Sequence, residues 1–237
     1  MVPIPINDHI RRHSFWFITF ALIAANVVAF MFELSLGRDL DRLIYVFGII
    51  PARYTTPRGL ATLSPQGFFV PVFGSMFLHG GWLHLLGNML FLFVFGRSVE
   101  DRFGHIKFTL IYFLGGLGGA IVHIFFSAGS RVPSIGASGA IAGVLGAYAA
   151  SFPGARITTI IPLFFFFWTV EVPALLLLGY WFLIQFFTGF AMLAIQSATG
   201  GGVAWWAHVG GFLVGLFLAF TLPPRRRRRP VVEVVRV

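Results

Sequence analysis

The feature that most constrains this chain is a series of six apolar stretches, each close to the length of a membrane-spanning helix. Crossing the hydrocarbon core of a bilayer takes roughly 20 mostly apolar residues. Of the 237 residues, 57% are hydrophobic and 11% are charged, and the mean hydropathy is +0.87. Lipid is therefore the expected solvent for most of the chain. The predicted spans are residues 15–32, 82–97, 108–127, 135–152, 172–196 and 203–222.

These spans predict an all-α membrane protein built as one bundle of six transmembrane helices. We divide the chain into a cytoplasmic N-terminal tail (1–14), the helical domain (15–222) and a basic cytoplasmic C-terminal tail (223–237). Arg11 and Arg12 precede the first apolar segment, as in a signal peptide. Its apolar run is longer than the roughly 7–15 residues usual for such signals, which favours a retained helix.

Residues 157–168 form a further apolar run that is too short to span. Pro162 interrupts it, and Glu171 and Pro173 follow it. We interpret this run as an interfacial or re-entrant piece, with the true span starting near Val172.

The distribution of Lys and Arg predicts the orientation. Six spans place both termini on one side, and that side holds 12 of the 17 Lys and Arg residues. Cytoplasmic loops carry the excess of positive charge, so both termini are predicted to be cytoplasmic. Five consecutive arginines, 225–229, lie directly after the last span. Such a run can bind nucleic acid, but in this position it favours a membrane-flanking tail that contacts the lipid bilayer.

Four polar side chains lie near the ends of three predicted spans. His84 and Asn88 are near the start of the second, Ser138 near the start of the fourth and His208 near the start of the sixth. These spans all enter from the extracytoplasmic side, which places the four residues one to two turns, roughly 5–10 Å, below the surface. Because polar residues in a membrane usually face the bundle interior or a water-filled cavity, the sequence predicts a shared hydrated pocket.

The residue types in this pocket suit serine catalysis. A serine hydroxyl needs a base to become a nucleophile, and His208 is the candidate base for Ser138. The predicted spans contain no Asp or Glu, which favours a dyad over a triad. His84 and Asn88 are four residues apart and share a helix face. They would donate hydrogen bonds to an oxyanion together with the backbone N–H of Ser138.

Small residues surround both catalytic candidates. Gly136, Gly139 and Gly143 lie in the fourth predicted span, and Gly211 and Gly215 form a GxxxG pattern in the sixth. This spacing allows two helices to approach closely in lipid, as a hydrogen bond between the serine and the histidine requires.

Each of these residues also has a structural interpretation. Serines in membrane helices commonly bond to their own helix backbone, which is the alternative for Ser138. His208 alone would serve as a hydrogen-bond partner between helices. His123 is a rival base near the same face, although its bulky neighbours disfavour a close approach to the fourth span. Gln185 lies in mid-span and is interpreted as a packing or gate residue.

Three motifs carry a resemblance to a known family. Residues 136–139 (GASG) resemble the GxSG nucleophile motif of the rhomboid family. Residues 84–88 (HLLGN) resemble its HxxxN oxyanion motif, and residues 207–215, which begin AHVGG, resemble its AHxxGxxxG motif. The motifs occur in the family's order, and the likeness extends over roughly 65–222.

The resemblance implies a six-helix rhomboid-like bundle with a long, partly embedded loop between helices 1 and 2, at about 33–81. It implies a serine endopeptidase that cuts transmembrane segments of single-pass or other membrane proteins, without a cofactor or metal. Substrates would enter laterally into a cavity open to the extracytoplasmic side, with small residues at the cut. From size and the lack of a targeting segment, we predict the inner membrane of a bacterial cell.

The chain departs from the family pattern at two places. Many members carry Trp-Arg in the loop, where this sequence has Val70 and Pro71. Many also place an aromatic residue four positions after the serine to stack on the histidine, where this sequence has Ala142. His208 must therefore be held in another way. One hypothesis is that Trp205 and Trp206 cap the site.

Other classes of function are less consistent with the sequence. A rhomboid-like pseudoprotease would bind membrane proteins without cutting them, but such members lose the serine or the histidine. A transporter or channel would usually show charged residues within spans or an internal repeat. The sequence has no cysteine, no HExxH zinc motif and no pair of intramembrane aspartates, which excludes thiol, zinc and aspartyl proteases.

Overall fold

The computed structural model describes residues 3–163, 166–193 and 204–225. Four helices in this part of the chain are long and apolar enough to cross a membrane: Phe17–Ser35, Trp82–Phe103, His105–Phe126 and Ala174–Leu193. Two further apolar helices, Ser138–Ser151 and Trp205–Thr221, are shorter. All six predicted stretches are therefore helical over most of their described length, and four of them qualify as spans by length and composition.

We number the helices in chain order. The first is α1 (Phe17–Ser35). The second long helix is made of α6 (Trp82–Phe91), a π-helical segment at Leu92–Gly96 and α7 (Arg97–Phe103). The other helices at the predicted spans are α8 (His105–Phe126), α9 (Ser138–Ser151), α10 (Ala174–Leu193) and α11 (Trp205–Thr221).

The segment between α1 and α6 is largely helical. It contains α2 (Leu40–Phe47), α3 (Ala52–Thr55), α4 (Pro57–Thr62) and α5 (Pro65–Gly74), with 3-10 turns at Gly37–Asp39 and Ser75–Phe77. The predicted loop began at residue 33, but α1 continues to Ser35, so Glu33 lies inside a helix. How deeply this segment enters the bilayer stays a prediction.

A three-stranded antiparallel sheet corrects the all-α prediction. Its strands are β1 (Ile4–Asn7), β2 (Arg156–Leu163) and β3 (Phe166–Pro173), in the order β1-β2-β3. The run predicted as an interfacial or re-entrant piece thus forms two antiparallel strands of a β-hairpin, in register from Arg156 opposite Pro173 to Leu163 opposite Phe166. The sequence analysis treated the segment as one apolar run. Its β-branched and aromatic residues favour strands, and paired strands satisfy the backbone hydrogen bonds that a short apolar coil would leave open.

The N-terminal segment is docked on the rest of the protein from residue 3 onward. The Asp8 side chain is fully buried and accepts hydrogen bonds from Arg12 at 2.8 Å and from Ser98 at the start of α7. Asp101 of α7 accepts from the backbone N–H groups of His13 and Ser14. The predicted N-terminal tail is therefore an ordered part of the fold.

The start of the predicted basic tail lies beside the ends of two helices. The backbone N–H of Arg225 donates to the carbonyl of Arg102, and Lys107 donates to the carbonyl of Pro223 at 2.6 Å. The remaining arginines of the run, 226–229, lie outside the described residues.

Glycines bring α8, α9 and α11 into backbone contact. A methyl group added at Gly215 would lie 1.7 Å from the carbonyl oxygen of Gly143, and one at Gly211 would lie 2.0 Å from that of Gly139. On the other side of α9, a methyl group at Gly115 would lie 2.9 Å from Cα of Gly143. No side chain fits at these crossings, so α9 is held between two helices at the closest distance that backbones allow.

Candidate active site

The close packing of α9 and α11 places a serine beside a histidine. Ser138 is the first residue of α9, and His208 lies in the first turn of α11. Ser138 Oγ lies 2.7 Å from His208 Nε2, a full hydrogen bond between residues 70 positions apart in the chain. The His208 side chain is buried, and Ser138 is partly exposed. The structure therefore brings together the two residues that the sequence analysis paired.

The second ring nitrogen of His208 also has a partner. His208 Nδ1 lies 2.7 Å from Oε1 of Gln185, a buried residue of α10. The amide oxygen is an acceptor, so Nδ1 carries the proton and Nε2 is left with a lone pair toward Ser138. The sequence analysis considered Gln185 only for packing or gating and did not connect it with His208.

His84 and Asn88 lie on the same face of α6, opposite Ser138. Nδ1 of His84 accepts a hydrogen bond from the N–H of Gly80 at 3.3 Å. The ring proton of His84 is therefore on Nε2, which is left as a donor on the side of the ring away from Gly80. Nδ2 of Asn88 is buried and has no acceptor in the described part of the chain. Both side chains thus hold N–H groups available to an anion.

A third donor comes from the backbone. Because α9 begins at Ser138, the N–H of Ser138 has no acceptor within its own helix. Gly136, two residues earlier, makes the turn into this helix with φ of +132°, and a methyl group there would lie 2.7 Å from His84 Nε2. Only glycine combines this backbone conformation with such close contact to the imidazole.

These groups share one cavity of about 730 Å³. It is lined by residues of α6, α9, α10 and α11, among them His84, Asn88, Ser138, Trp181 and His208. All four polar side chains predicted from the sequence therefore line one pocket. No cluster of metal-ligating side chains is found in the described ranges.

Comparison with known proteins decides the family. Residues 66–225, two thirds of the chain, match the model of the Rhomboid domain. The chain belongs to the rhomboid family. With its four candidate spans, this makes it an integral membrane protein.

Several rhomboid relatives resemble the chain in sequence. It is 36% identical over 151 residues to RHOMBOID-like protein 5 of Arabidopsis thaliana, an alignment that covers 62% of this chain and 42% of the relative. It is 31% identical over 169 residues to the mitochondrial Rhomboid protein 1 of Saccharomyces cerevisiae, covering 68% and 45%. It is 35% identical over 130 residues to the Rhomboid protease GluP of Bacillus subtilis, covering 54% and 23%.

These alignments limit what the relatives say about this rhomboid. The chain spans less than half the length of each of the three. Their sources are a plant, a yeast and a bacterium, so the bacterial inner membrane stays a prediction for this chain.

The aromatic contact expected on His208 comes from a different helix. Ala142, where many rhomboids have an aromatic residue, is fully buried and packs against Gly211. The Trp181 ring of α10 lies 5.7 Å from the His208 ring instead, one turn before Gln185. The i, i+4 spacing of Trp181 and Gln185 was the sequence signal that could have placed both on one face.

Of the two tryptophans in the capping hypothesis, one lies beside His208, and capping itself stays a prediction. The Trp205 ring lies 6.3 Å from the His208 ring in an edge-on arrangement. Trp206 is turned away and stacks on Phe126 with ring centroids 3.9 Å apart. Only Trp205 is therefore positioned beside the histidine.

His123, the rival base, is not bonded to the serine. It is buried near the end of α8, and its nearest hydrogen-bond partner is Ser127 Oγ at 3.4 Å. The helices α8 and α9 do touch, at Gly115 and Gly143. That contact lies two turns from His123, so the close approach does not deliver its imidazole to Ser138.

A buried carboxylate fixes the chain just before α6. Both oxygens of Glu33 accept from the backbone N–H of His79, at 3.1 and 3.2 Å. The His79 ring lies 5.1 Å from the His84 ring, and burial lowers the pKa of His79 to about 4, so it is neutral at pH 7. The sequence analysis missed Glu33 because it placed that residue outside the first span.

Proposed function

We propose that this rhomboid is an intramembrane serine endopeptidase with six transmembrane helices and a Ser138–His208 dyad. The observation that carries the proposal is the 2.7 Å hydrogen bond between Ser138 Oγ and His208 Nε2. It lies in a cavity that also holds His84 and Asn88 with available donors. The likeness to Rhomboid protease GluP supports the same reaction class.

The first half of the reaction follows from these positions. Ser138 Oγ attacks the carbonyl carbon of the scissile peptide bond and passes its proton to His208 Nε2. The carbonyl oxygen becomes an oxyanion, which accepts hydrogen bonds from His84 Nε2–H, Asn88 Nδ2–H and the N–H of Ser138. His208 then gives its proton to the leaving amine nitrogen as the C–N bond breaks, which leaves an acyl group on Ser138.

The second half reverses these roles with water. His208 takes a proton from a water molecule, whose oxygen attacks the acyl carbon, and the same three donors hold the second oxyanion. Collapse returns the proton to Ser138 Oγ and releases the new carboxyl terminus. The Nδ1 partner of His208 is the amide of Gln185 and not a carboxylate, so the proposed reaction uses a dyad.

The proposed substrates are transmembrane segments of other membrane proteins. The cavity is lined by α6 on one side and α10 on the other, and a substrate helix would enter from the bilayer between them. In our proposal both termini are cytoplasmic and the cavity opens to the extracytoplasmic side. A substrate segment that unwinds easily and has small residues at the cleavage site would best reach Ser138, at the start of α9.

Cleavage of a transmembrane substrate by the protein in proteoliposomes tests the proposal. We expect Ser138→Ala and His208→Ala each to lower kcat by at least about 10³-fold, while Ser35→Ala, an exposed serine at the end of α1, cleaves like wild type. Labelling with a fluorophosphonate probe adds a readout that needs no substrate. A wild-type protein that neither cleaves nor labels at Ser138 would instead support a pseudoprotease that only binds membrane proteins.

A further inference from the structure

His208 is bonded at both ring nitrogens, and the two partners come from different helices. Nε2 faces Ser138 Oγ of α9 at 2.7 Å, and Nδ1 faces Gln185 Oε1 of α10 at the same distance. Gln185 is 6% exposed and His208 is 7% exposed, so the hydrogen bond between these two side chains is buried. The imidazole is therefore held in one plane between a hydroxyl and an amide.

The amide determines which nitrogen is the base. Its oxygen accepts and cannot donate, so the neutral ring places its single proton on Nδ1. That leaves the Nε2 lone pair facing Ser138, the tautomer that a general base requires. With the amide oriented as it is, the other tautomer would set Nδ1 and Oε1 against each other as two acceptors, and its Nε2–H would have no lone pair for the serine proton.

We propose that Gln185 is the positioning residue for His208 and fixes its tautomer and ring plane. The inference rests on the proposed function and deepens it, because it adds a third residue to the dyad. Gln185 touches no substrate and carries no charge, and it acts only through the Nδ1 hydrogen bond. Its role corresponds to the orienting part of the acidic member of a serine protease triad, without the charge that would stabilise an imidazolium.

The position of α10 extends this inference. Trp181 lies one turn from Gln185 on the same helix, and its ring lies 5.7 Å from the His208 ring. Both groups that orient the histidine therefore come from α10. This helix lines the cavity, and we expect substrate to enter the cavity beside it. His208 has its competent geometry while α10 is packed against α11.

Three substitutions separate positioning from packing. Gln185→Leu keeps the size of the side chain and removes the acceptor. We expect kcat to fall about 10²-fold with little change in KM, because a neutral base in the wrong tautomer does not accept the serine proton. Gln185→Glu keeps an acceptor oxygen at the same reach and should retain at least a tenth of wild-type kcat. Gln66→Leu, an exposed glutamine in α5, is the control and should leave kcat unchanged.

The tautomer itself can be observed. In ¹⁵N-histidine-labelled protein, the resonances of His208 are assigned as those lost in His208→Ala. We expect the Nδ1–H tautomer in wild type and in Gln185→Glu, and a mixture or the Nε2–H form in Gln185→Leu. A purely structural role would lower the melting temperature of both variants and leave the tautomer of the folded protein unchanged.

The outcomes distinguish this inference from the proposed function. Wild-type kcat and wild-type fluorophosphonate labelling in Gln185→Leu would overturn the positioning role while leaving the dyad intact. Equal losses in Gln185→Glu and Gln185→Leu, with the Nδ1–H tautomer kept in both, would also overturn it. A wild-type protein that is inert at Ser138 would instead overturn the proposed function. Should Gln185→Leu fail to fold, Gln185→Asn, whose shorter side chain cannot reach Nδ1, takes its place with the same expectation.

Discussion

At the scale of single residues, two imidazoles of one cavity are fixed in opposite tautomers. His84 accepts from Gly80 at Nδ1, which leaves Nε2–H as a donor. His208 donates from Nδ1 to Gln185, which leaves Nε2 as an acceptor for Ser138. One histidine is thus suited to stabilise an oxyanion and the other to take a proton. Their partners, a backbone N–H and an amide oxygen, cause the difference.

Asn88→Ala and His84→Ala test the proposed oxyanion donors. Each substitution removes an N–H that strengthens its hydrogen bond only as charge develops, so we expect kcat to fall about 10²-fold with KM nearly unchanged. Steady-state cleavage in proteoliposomes gives both constants. Leu86→Ala, an exposed position on the same helix, is the matched control. A rise in KM with kcat unchanged would assign these residues to substrate binding rather than to the transition state.

At the scale of elements, carboxylates at the end of the second long helix hold the N-terminal segment in place. Glu100 of α7 accepts from the backbone N–H groups of Ile18 and Thr19 at the start of α1, where helical N–H groups lack partners. Asp101 binds the preceding residues, His13 and Ser14. Asp8 comes directly after β1 and accepts a hydrogen bond from Ser98 of α7. The strand β1 in turn pairs with the hairpin strand β2. The sheet and α1 are therefore joined to the bundle through buried polar contacts.

Asp8→Ala should destabilise the protein through these contacts. The substitution leaves the Ser98 hydroxyl without its acceptor. It also removes the carboxylate partner of Arg12, whose side chain is 20% exposed and which keeps its hydrogen bond to Ser98 Oγ. Breaking a buried ion pair in this way costs about 3 kcal/mol of unfolding free energy. Thermal unfolding in detergent micelles measures the loss. Asp41→Ala, an exposed aspartate in α2, should change the midpoint little, and an equal shift in the two variants would contradict a special role for Asp8.

At the scale of the whole molecule, the contact between Ser138 and His208 constrains how the chain crosses the membrane. Both residues lie at the starts of their helices, so α9 and α11 run in the same direction and α10 returns between them. The hairpin β2–β3 precedes α10 and adds no crossing, since it folds back on itself. If residues 157–168 had spanned the bilayer, the two side chains would have been separated by its thickness.

The sequence contains no cysteine, so cysteines introduced one at a time can test the predicted orientation. Ala128 and Gly154 are exposed residues that follow α8 and α9, at opposite ends of the bundle. We expect a membrane-impermeant maleimide added to intact cells to label Ala128→Cys, and to label Gly154→Cys only after permeabilisation. The reverse pattern would place both termini outside the cytoplasm and invert the predicted topology.

The sequence by itself determined where the helices form and which polar side chains share the cavity. Long apolar runs must become helices in lipid because no water is present to bond a free backbone, so their positions follow from composition. Ser138, His208, His84 and Asn88 could be grouped because they lie at similar predicted depths on three spans. The family motifs name the same residues, and glycine spacing indicated the close packing of α9 and α11.

Only the tertiary structure decided which side chains contact His208. Gln185 and Trp181 are ordinary residues of an apolar helix until α10 packs against α11, and the bond to His208 depends on the rotation of that helix. The pairing of β1 with β2 joins residues more than 150 positions apart, which no local pattern encodes. Glu33 reaches His79 only because α1 extends one turn further than its apolar run. These contacts are long-range, and their partners are set by packing geometry, whereas the spans are set by the solvent that surrounds each segment.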